Sequence, residues 1–262
     1  MNRSQHIISL FETVTLEMHD KLNPVLWEKG DVLKPEVRKH LLAIAEKWKD
    51  FAKLPPKSTT DIVMLGGNAG FNYTKYSDID VHWIMHEKDL GNNKDLIQAY
   101  MDDKQNLWRD AHPNISVYGY PVELFAMDVK APFPKGQGAY SLTHSKWIQK
   151  PNKVAVDFND PHLIHKVDQY KKRIDHLIMQ HAPDAAFERI KDRLKGMRGA
   201  SIAKGGEYAF ENLVFKELRN QGYLTKMRDF LHQRQDKRFS LFLHGKHKIS
   251  KAPKGVDGGT GL

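Results

Sequence analysis

With 262 residues, 40% of them hydrophobic and 28% charged, the chain is long enough for one large domain or two small ones and too apolar to be disordered. It has no cysteine, which excludes disulfides, thiolate metal sites and cysteine nucleophiles. The net charge of +9 is unevenly spread: residues 1–160 sum to −1 and residues 161–262 to +10. That asymmetry points to a polyanionic partner, nucleic acid or nucleotide phosphates, or else to a solvated basic face. The N-terminal stretch MNRSQHIISLFETV is too polar for a signal peptide, and no apolar run approaches membrane-spanning length. We therefore expect a cytoplasmic protein with no membrane partner.

In chain order, Ile7, Leu10, Phe11, Val14 and Met18 recur at helical spacing and predict a first helix. LNPVLWEKGDVLKP breaks that pattern. Pro35 then opens a second helix, Glu36 to Phe51, with Val37, Leu41, Ile44, Ala45 and Trp48 on one face. Two buried-strand patterns follow, Ile62–Leu65 and Val81–Met85, joined by a Gly- and Asn-bearing loop. Asp95 to Ala111 predicts a helix, Ile115–Tyr118 and Val122–Met127 two strands, and Gly119-Tyr120-Pro121 the turn between them. PFPKGQG, residues 132–138, is a loop and a candidate lid; Ala139 to Lys150 is a strand or hairpin.

Pro151 to Pro161 is a plausible boundary. Beyond it the chain is helical: His162 to His181, a helix opened by Pro183 and interrupted at Ala200–Gly206, Glu207 to Arg219, and Tyr223 to Gln233 after the stop at Gly222. The expected domains are 1–150, 151–245 and a basic, Gly-rich tail, 246–262, without fixed structure.

The chemistry concentrates in DIVMLGGNAGFNYTKYSDIDVHWIM, residues 61–85. Residues two apart in a strand share a face, so Asp78 and Asp80 project side by side. Two carboxylates that close repel each other unless a cation lies between them, and a hard divalent ion, Mg²⁺ or Mn²⁺, suits oxygen ligands. Glu123 lies between apolar neighbours on a later strand, sharing its face with Phe125 and Met127, while Asp128 points the other way. His82 shares the Asp80 face and is either a substrate contact or a bonded core histidine. Tyr73 and Tyr76 either stack on a base or pack in the loop. Lys204-Gly205-Gly206 either cradles phosphate or turns between helices. No histidine pair has the spacing of a zinc motif.

Gly66-Gly67-Asn68, a gap, Ser77-Asp78-Ile79-Asp80-Val81 and the later Glu123 resemble the signature of the DNA-polymerase-beta-like nucleotidyltransferase superfamily. LNPVLW…LKPEVRKHLLAIAEKW, SDIDVH and KGGEYAFENLVFKELRNQGYL are similar, more narrowly, to nucleotidyltransferase-like proteins encoded by bacteriophages, whose location would be the bacterial host cytoplasm. The resemblance implies an α+β fold: a mixed β-sheet nucleotidyltransferase core flanked by N-terminal helices, followed by a C-terminal helical bundle. It implies catalysis and metal binding by Asp78, Asp80 and Glu123, and nucleotide (NTP, ATP among them) binding by Gly66, Gly67, Asn68 and Ser77. Asn68 stands where the family most often has Ser, and its amide can still bond a phosphate oxygen.

The implied reaction moves a nucleoside monophosphate from NTP to an acceptor, with an RNA end or other nucleic acid favoured, and releases pyrophosphate. Two Mg²⁺ ions about 3.5–4 Å apart would serve it. The alternative is an inactive fold kept as a nucleic-acid-binding or partner-binding module.

Overall fold

A computed structural model describes residues 14–55 and 58–247, with side chains as far as 240. The protein is α+β. A short hairpin, β1 (Trp27–Glu28) and β2 (Val32–Leu33), precedes α1 (Pro35–Phe51). The main sheet follows: β3 (Thr59–Leu65), β4 (Ile79–Met85), β5 (Ser116–Val117), β6 (Tyr120–Asp128), β7 (Ala139–Ser141) and β8 (Lys146–Gln149), with α2 (Lys94–Ala111) between β4 and β5. Helices α3 (Pro161–Met179), α4 (Asp184–Gly205), α5 (Phe210–Asn220) and α6 (Tyr223–His247) follow and end the described residues. No helix among the described residues is long and apolar enough to cross a membrane.

The six strands lie in the order β5-β6-β4-β3-β7-β8. Only β4 and β6 run parallel, joined by the α2 crossover, so the sheet is mixed. Alternation along β4 explains its two faces. Ile79, Val81, Trp83 and Met85 are buried with Val37, Leu41, Ala45 and Trp48 of α1 and Ile97, Met101 and Trp108 of α2. Asp80 and His82 project from the opposite face, which carries only a small apolar cluster, Val63, Leu65, Ile84 and Ala139. Between this face and the C-terminal helices a ligand has room.

A second core lies among the C-terminal helices, with Leu163, Val167, Ile174, Phe187, Ile190, Leu194, Val214 and Leu218 at its centre. The N-terminal strap joins it. The predicted first helix falls mostly outside the described residues, and its last part, Val14 to Met18, is not helical. Leu16 is instead buried in the helical core, and the Thr15 backbone N–H and hydroxyl both donate to the Glu217 carboxylate, at 3.0 and 2.9 Å. Glu217 is 1% exposed, and a buried carboxylate needs donors more than this short strap needs helical bonds.

Other boundaries shift for identifiable reasons. The β5–β6 turn is Tyr118-Gly119, so Tyr120 and Pro121 belong to the strand. Ala139–Lys150 is a hairpin, β7–β8. Helix α4 runs straight through Ala200–Gly205 and stops at Gly206, whose φ of +73° and closeness to the 132–138 loop admit only glycine: a Cβ there would lie 2.3 Å from the Lys135 carbonyl oxygen. Lys204-Gly205-Gly206 is thus a helix turn. Helix α5 begins at Phe210, leaving Glu207 in a short 3₁₀ turn, and α6 continues past Gln233 to His247. No Gly or Pro interrupts it before Gly245, and loss of the apolar stripe marks where burial ends, not where the helix ends. The predicted tail from residue 248 lies outside the described residues.

Candidate active site

Strand β3 leaves the sheet at Gly66, and the loop returns through Ser77 and Asp78 into β4. In the ladder, Leu65 pairs with Asp80, and Asp80 pairs with Glu123 of β6. Asp78, Asp80 and Glu123 therefore meet at one end of the open sheet face, with ligand oxygens all within 4.8 Å of one another. Gly66 makes this possible. At φ +81° its backbone lies against Asp80, and a Cβ would sit 1.8 Å from Oδ2.

The three carboxylates line a cleft of about 640 Å³ between the sheet and the C-terminal helices. Gly66, Gly67 and Ser77 line it too, and the Ser77 hydroxyl accepts from the Thr74 N–H at 2.9 Å. Asn68 does not. Its side chain donates to the Asp78 carbonyl at 2.8 Å and accepts from Asn23 at 2.9 Å, so the amide is spent fixing the backbone that presents Asp78. Tyr73 packs on His19, ring centroids 3.9 Å apart, and Tyr76 is exposed; neither lines the cleft.

Loop 132–138 is a wall. Gln149 Nε2 donates to the Pro134 carbonyl at 3.0 Å, and the Glu207 N–H donates to the Lys135 carbonyl at 3.1 Å. Asp128, as expected, lies off the site: its oxygens accept from the N–H groups of Glu87 and Lys130, at 2.9 and 2.8 Å, and these bonds hold its carboxyl below the usual range.

Several lining residues escape sequence reasoning. Arg109 of α2, Lys195 and Arg198 of α4, and Lys216 and Arg219 of α5 line the cleft, and the charges of Arg109, Arg198 and Arg219 act on Glu123. Arg219 Nη1 lies 3.3 Å from Asp78 Oδ2. Glu207 is a further, buried carboxylate in the lining. Burial alone would raise its pKa, but the Lys216 ammonium and a bond from Asn72 hold it below the usual range. For the part that α4 and α5 contribute, the concentration of charge after residue 160 was the hint; which of those residues line the cleft depends on how the helices pack.

Asp80 is pushed well above the usual carboxylate range by burial, then by the Asp78 and Glu123 charges. Glu123 is raised by burial and Asp78, with Arg109, Arg219 and Arg198 opposing. Mutual repulsion in a confined oxygen cluster is the property a divalent cation relieves, so these residues fit one. A stability test follows. Both folded pKa values lie above the unfolded ones, near 3.8 and 4.5, so the unfolded chain holds fewer protons in that window. The contribution of these groups is full below it and lost as pH rises through the folded pKa values. With EDTA, the melting temperature should fall on going from pH 5 to pH 8 more than it does with Mn²⁺. Parallel curves would disconnect the carboxylates from any cation.

No protein-family model and no curated protein sequence matches the chain. Among solved structures it is similar to the E. coli MS115-1 CdnC:HORMA-deltaN complex, at 14% identity over 58% of this chain, with a TM-score of 0.21; the match spans about 55% of that protein's length. It is similar also to a STING-associated CdnE c-di-GMP synthase from Capnocytophaga granulosa, at 14% identity over 80% of this chain and 74% of that one, TM-score 0.23. A third is the Elizabethkingia meningoseptica CdnE cyclic dinucleotide synthase, solved with GTP and Apcpp, at 12% identity over 69% of this chain and 78% of that one, TM-score 0.23. These are distant likenesses.

Proposed function

We propose that the protein is a divalent-metal-dependent nucleotidyltransferase, moving a nucleoside monophosphate from NTP to an acceptor hydroxyl. The observation that carries this reading is the convergence of Asp78, Asp80 and Glu123 beside the Gly66-Gly67 turn, in a cleft whose far wall is cationic. A pure binding module gains nothing from three confined carboxylates, which cost folding energy unless a cation joins them.

Asp78, Asp80 and Glu123 would hold Mg²⁺ or Mn²⁺. When bound, the ion supplies positive charge to the phosphoryl oxygens and acidifies the attacking hydroxyl. The chain's own groups do the rest. Gly66 and Gly67 carry no side chain to keep a phosphate off the backbone, and Ser77 stands at the same edge. Lys195, Arg198, Lys216 and Arg219 give the polyphosphate its counter-charge. Glu123, its pKa raised by burial and by the Asp78 charge, takes the acceptor proton as the new oxygen–phosphorus bond forms and pyrophosphate departs. Residues 1–150 form the catalytic unit in this reading and 151–245 the helical unit that supplies the cations.

The experiment is transfer of label from α-³²P NTPs with Mn²⁺ or Mg²⁺, with and without RNA. Labelled product and pyrophosphate are expected, and none with EDTA. We favour a nucleic-acid end as acceptor because the +10 of residues 161–262 exceeds what lines the cleft. Affinity for RNA should then fall steeply with salt, since each phosphate contact releases counterions. Charge reversal at Lys171, Lys172 and Arg173 should weaken RNA binding while leaving metal–NTP binding intact. Salt-insensitive activity, with a wild-type rate in that triple variant, would rule out the polyanionic acceptor.

A further inference from the structure

One rank deeper than Asp80 and Glu123, the same two strands carry His82 and Phe125. They are direct partners in the parallel ladder, and their rings stack with centroids 4.8 Å apart and planes 16° from parallel. Both line the cleft, followed by Met127 and flanked by Pro132 and Pro134 of the fixed loop. Two strand residues span roughly 6.6 Å, so the ring pair begins about that far from the carboxylates.

The cleft therefore has two unlike ends. Cations and carboxylates crowd the first. At the second, the stacked His82 and Phe125 rings, Met127 and the two prolines line the cleft.

The hydrogen-bond inventory of that ring is informative. Among the described residues, His82 Nδ1 is sealed from solvent and has no partner. A buried N–H without an acceptor is rarer and costlier than a bare lone pair. The proton accordingly belongs on Nε2, which makes the ring edge on the cleft side a hydrogen-bond donor. An aromatic pair with one donor, bounded by prolines and a methionine, matches an uncharged planar ring bearing a carbonyl or ring-nitrogen acceptor. It does not match a sugar alone or a cationic amine.

We propose that His82 and Phe125 form the acceptor-ring subsite: Phe125 and the His82 ring pack against a flat, uncharged heterocycle of the acceptor, His82 Nε2–H donates to its carbonyl or ring nitrogen, and the hydroxyl on its attached sugar reaches Asp80 and Glu123. This rests on the nucleotidyl-transfer reading. It makes His82 a specificity-determining residue that touches substrate and leaves the NTP to the charged end.

The test uses the full-length protein with Mn²⁺, a labelled NTP and three soluble acceptors: uridine, a phenyl C-riboside that has the ring without hydrogen-bonding groups, and ribose. The expected order of transfer efficiency is uridine, phenyl riboside, ribose. His82→Phe keeps the stack and removes the donor, so it should raise KM for uridine about tenfold, to the phenyl riboside level, with KM for NTP unchanged. Phe125→Leu should weaken both ring-bearing acceptors and leave ribose alone. If His82→Phe melts early, His82→Gln, which keeps a donor, should retain part of the uridine preference.

A second readout needs no turnover. Long-range ¹⁵N–¹H spectra should show His82 as the Nε2-protonated tautomer, and uridine but not ribose should shift its ring signals. Unchanged acceptor KM in both variants, an effect on NTP KM instead, or His82 signals indifferent to uridine would overturn the subsite. Failure of the wild type to transfer label to any acceptor would sink the transferase reading, while the spectra would still decide the subsite.

Discussion

Mn²⁺ or Mg²⁺ with an NTP is expected to raise the melting temperature of the wild-type protein, and Asp78→Ala/Asp80→Ala to erase that rise together with all transfer activity. A ligand that binds only the folded state at a hundred times its Kd stabilises by about 2.7 kcal/mol. For a chain of this size that is on the order of 5–10 °C. The cause is specific to this cluster. Asp80 is held protonation-prone by burial first and then by its two carboxylate neighbours, and a cation bound there offsets both. The same reasoning gives Asp80→Ala alone a higher melting temperature than the wild type when both are metal-free, since the variant no longer buries a repelled carboxylate against Gly66. A double variant that keeps the metal–NTP shift would place the cation elsewhere, and a metal-free Asp80→Ala protein less stable than the parent would mean the cluster is not strained.

What the sequence disclosed, and what it hid, divides along one physical line. Period-two alternation was enough to put Asp80 and Glu123 on the open face and Asp128 off it, because a strand's geometry fixes which side each residue takes. Helix α1 was legible for the same local reason, with Pro35 at its start and its buried stripe at 3.6-residue spacing. The partners of Asn68 were hidden because nothing local says that Asn23, 45 residues earlier, and the Asp78 backbone engage both ends of its amide. The strap at Val14–Met18 shows helical spacing, yet a buried Glu217 some two hundred residues away decides its conformation. Glu207, Lys216 and Arg219 were invisible as site residues since their role follows from how α4, α5 and the turn between them face the sheet across the cleft. Local periodicity reports faces; it does not report partners.

Glu123→Gln is expected to lower turnover by about 10² to 10⁴-fold, the range a positioned general base contributes, while metal–NTP binding persists. Size and hydrogen-bonding shape are kept and one negative charge is lost. Asp78 and Asp80 still hold the nucleotide's cation, and the Lys195, Arg198, Lys216 and Arg219 wall still faces the polyphosphate. What disappears is the group able to take the acceptor proton, so the loss should appear in kcat and kcat/KM alike, with little change in NTP KM. Removing the charge also relieves Asp80 of one of its two carboxylate neighbours, so the metal-free variant should fold at least as stably as the parent. Asp128→Asn is the control: its two backbone bonds tie the turn after β6 to the segment after β4, away from the cleft, and its cost should fall on stability with the rate near wild type. An active Glu123→Gln protein beside a dead Asp128→Asn protein would assign the third carboxylate to the wrong face of β6. A Glu123→Gln protein that loses NTP binding along with turnover would instead mean that Glu123 serves by holding the cation and not as the base, leaving the acceptor proton to solvent.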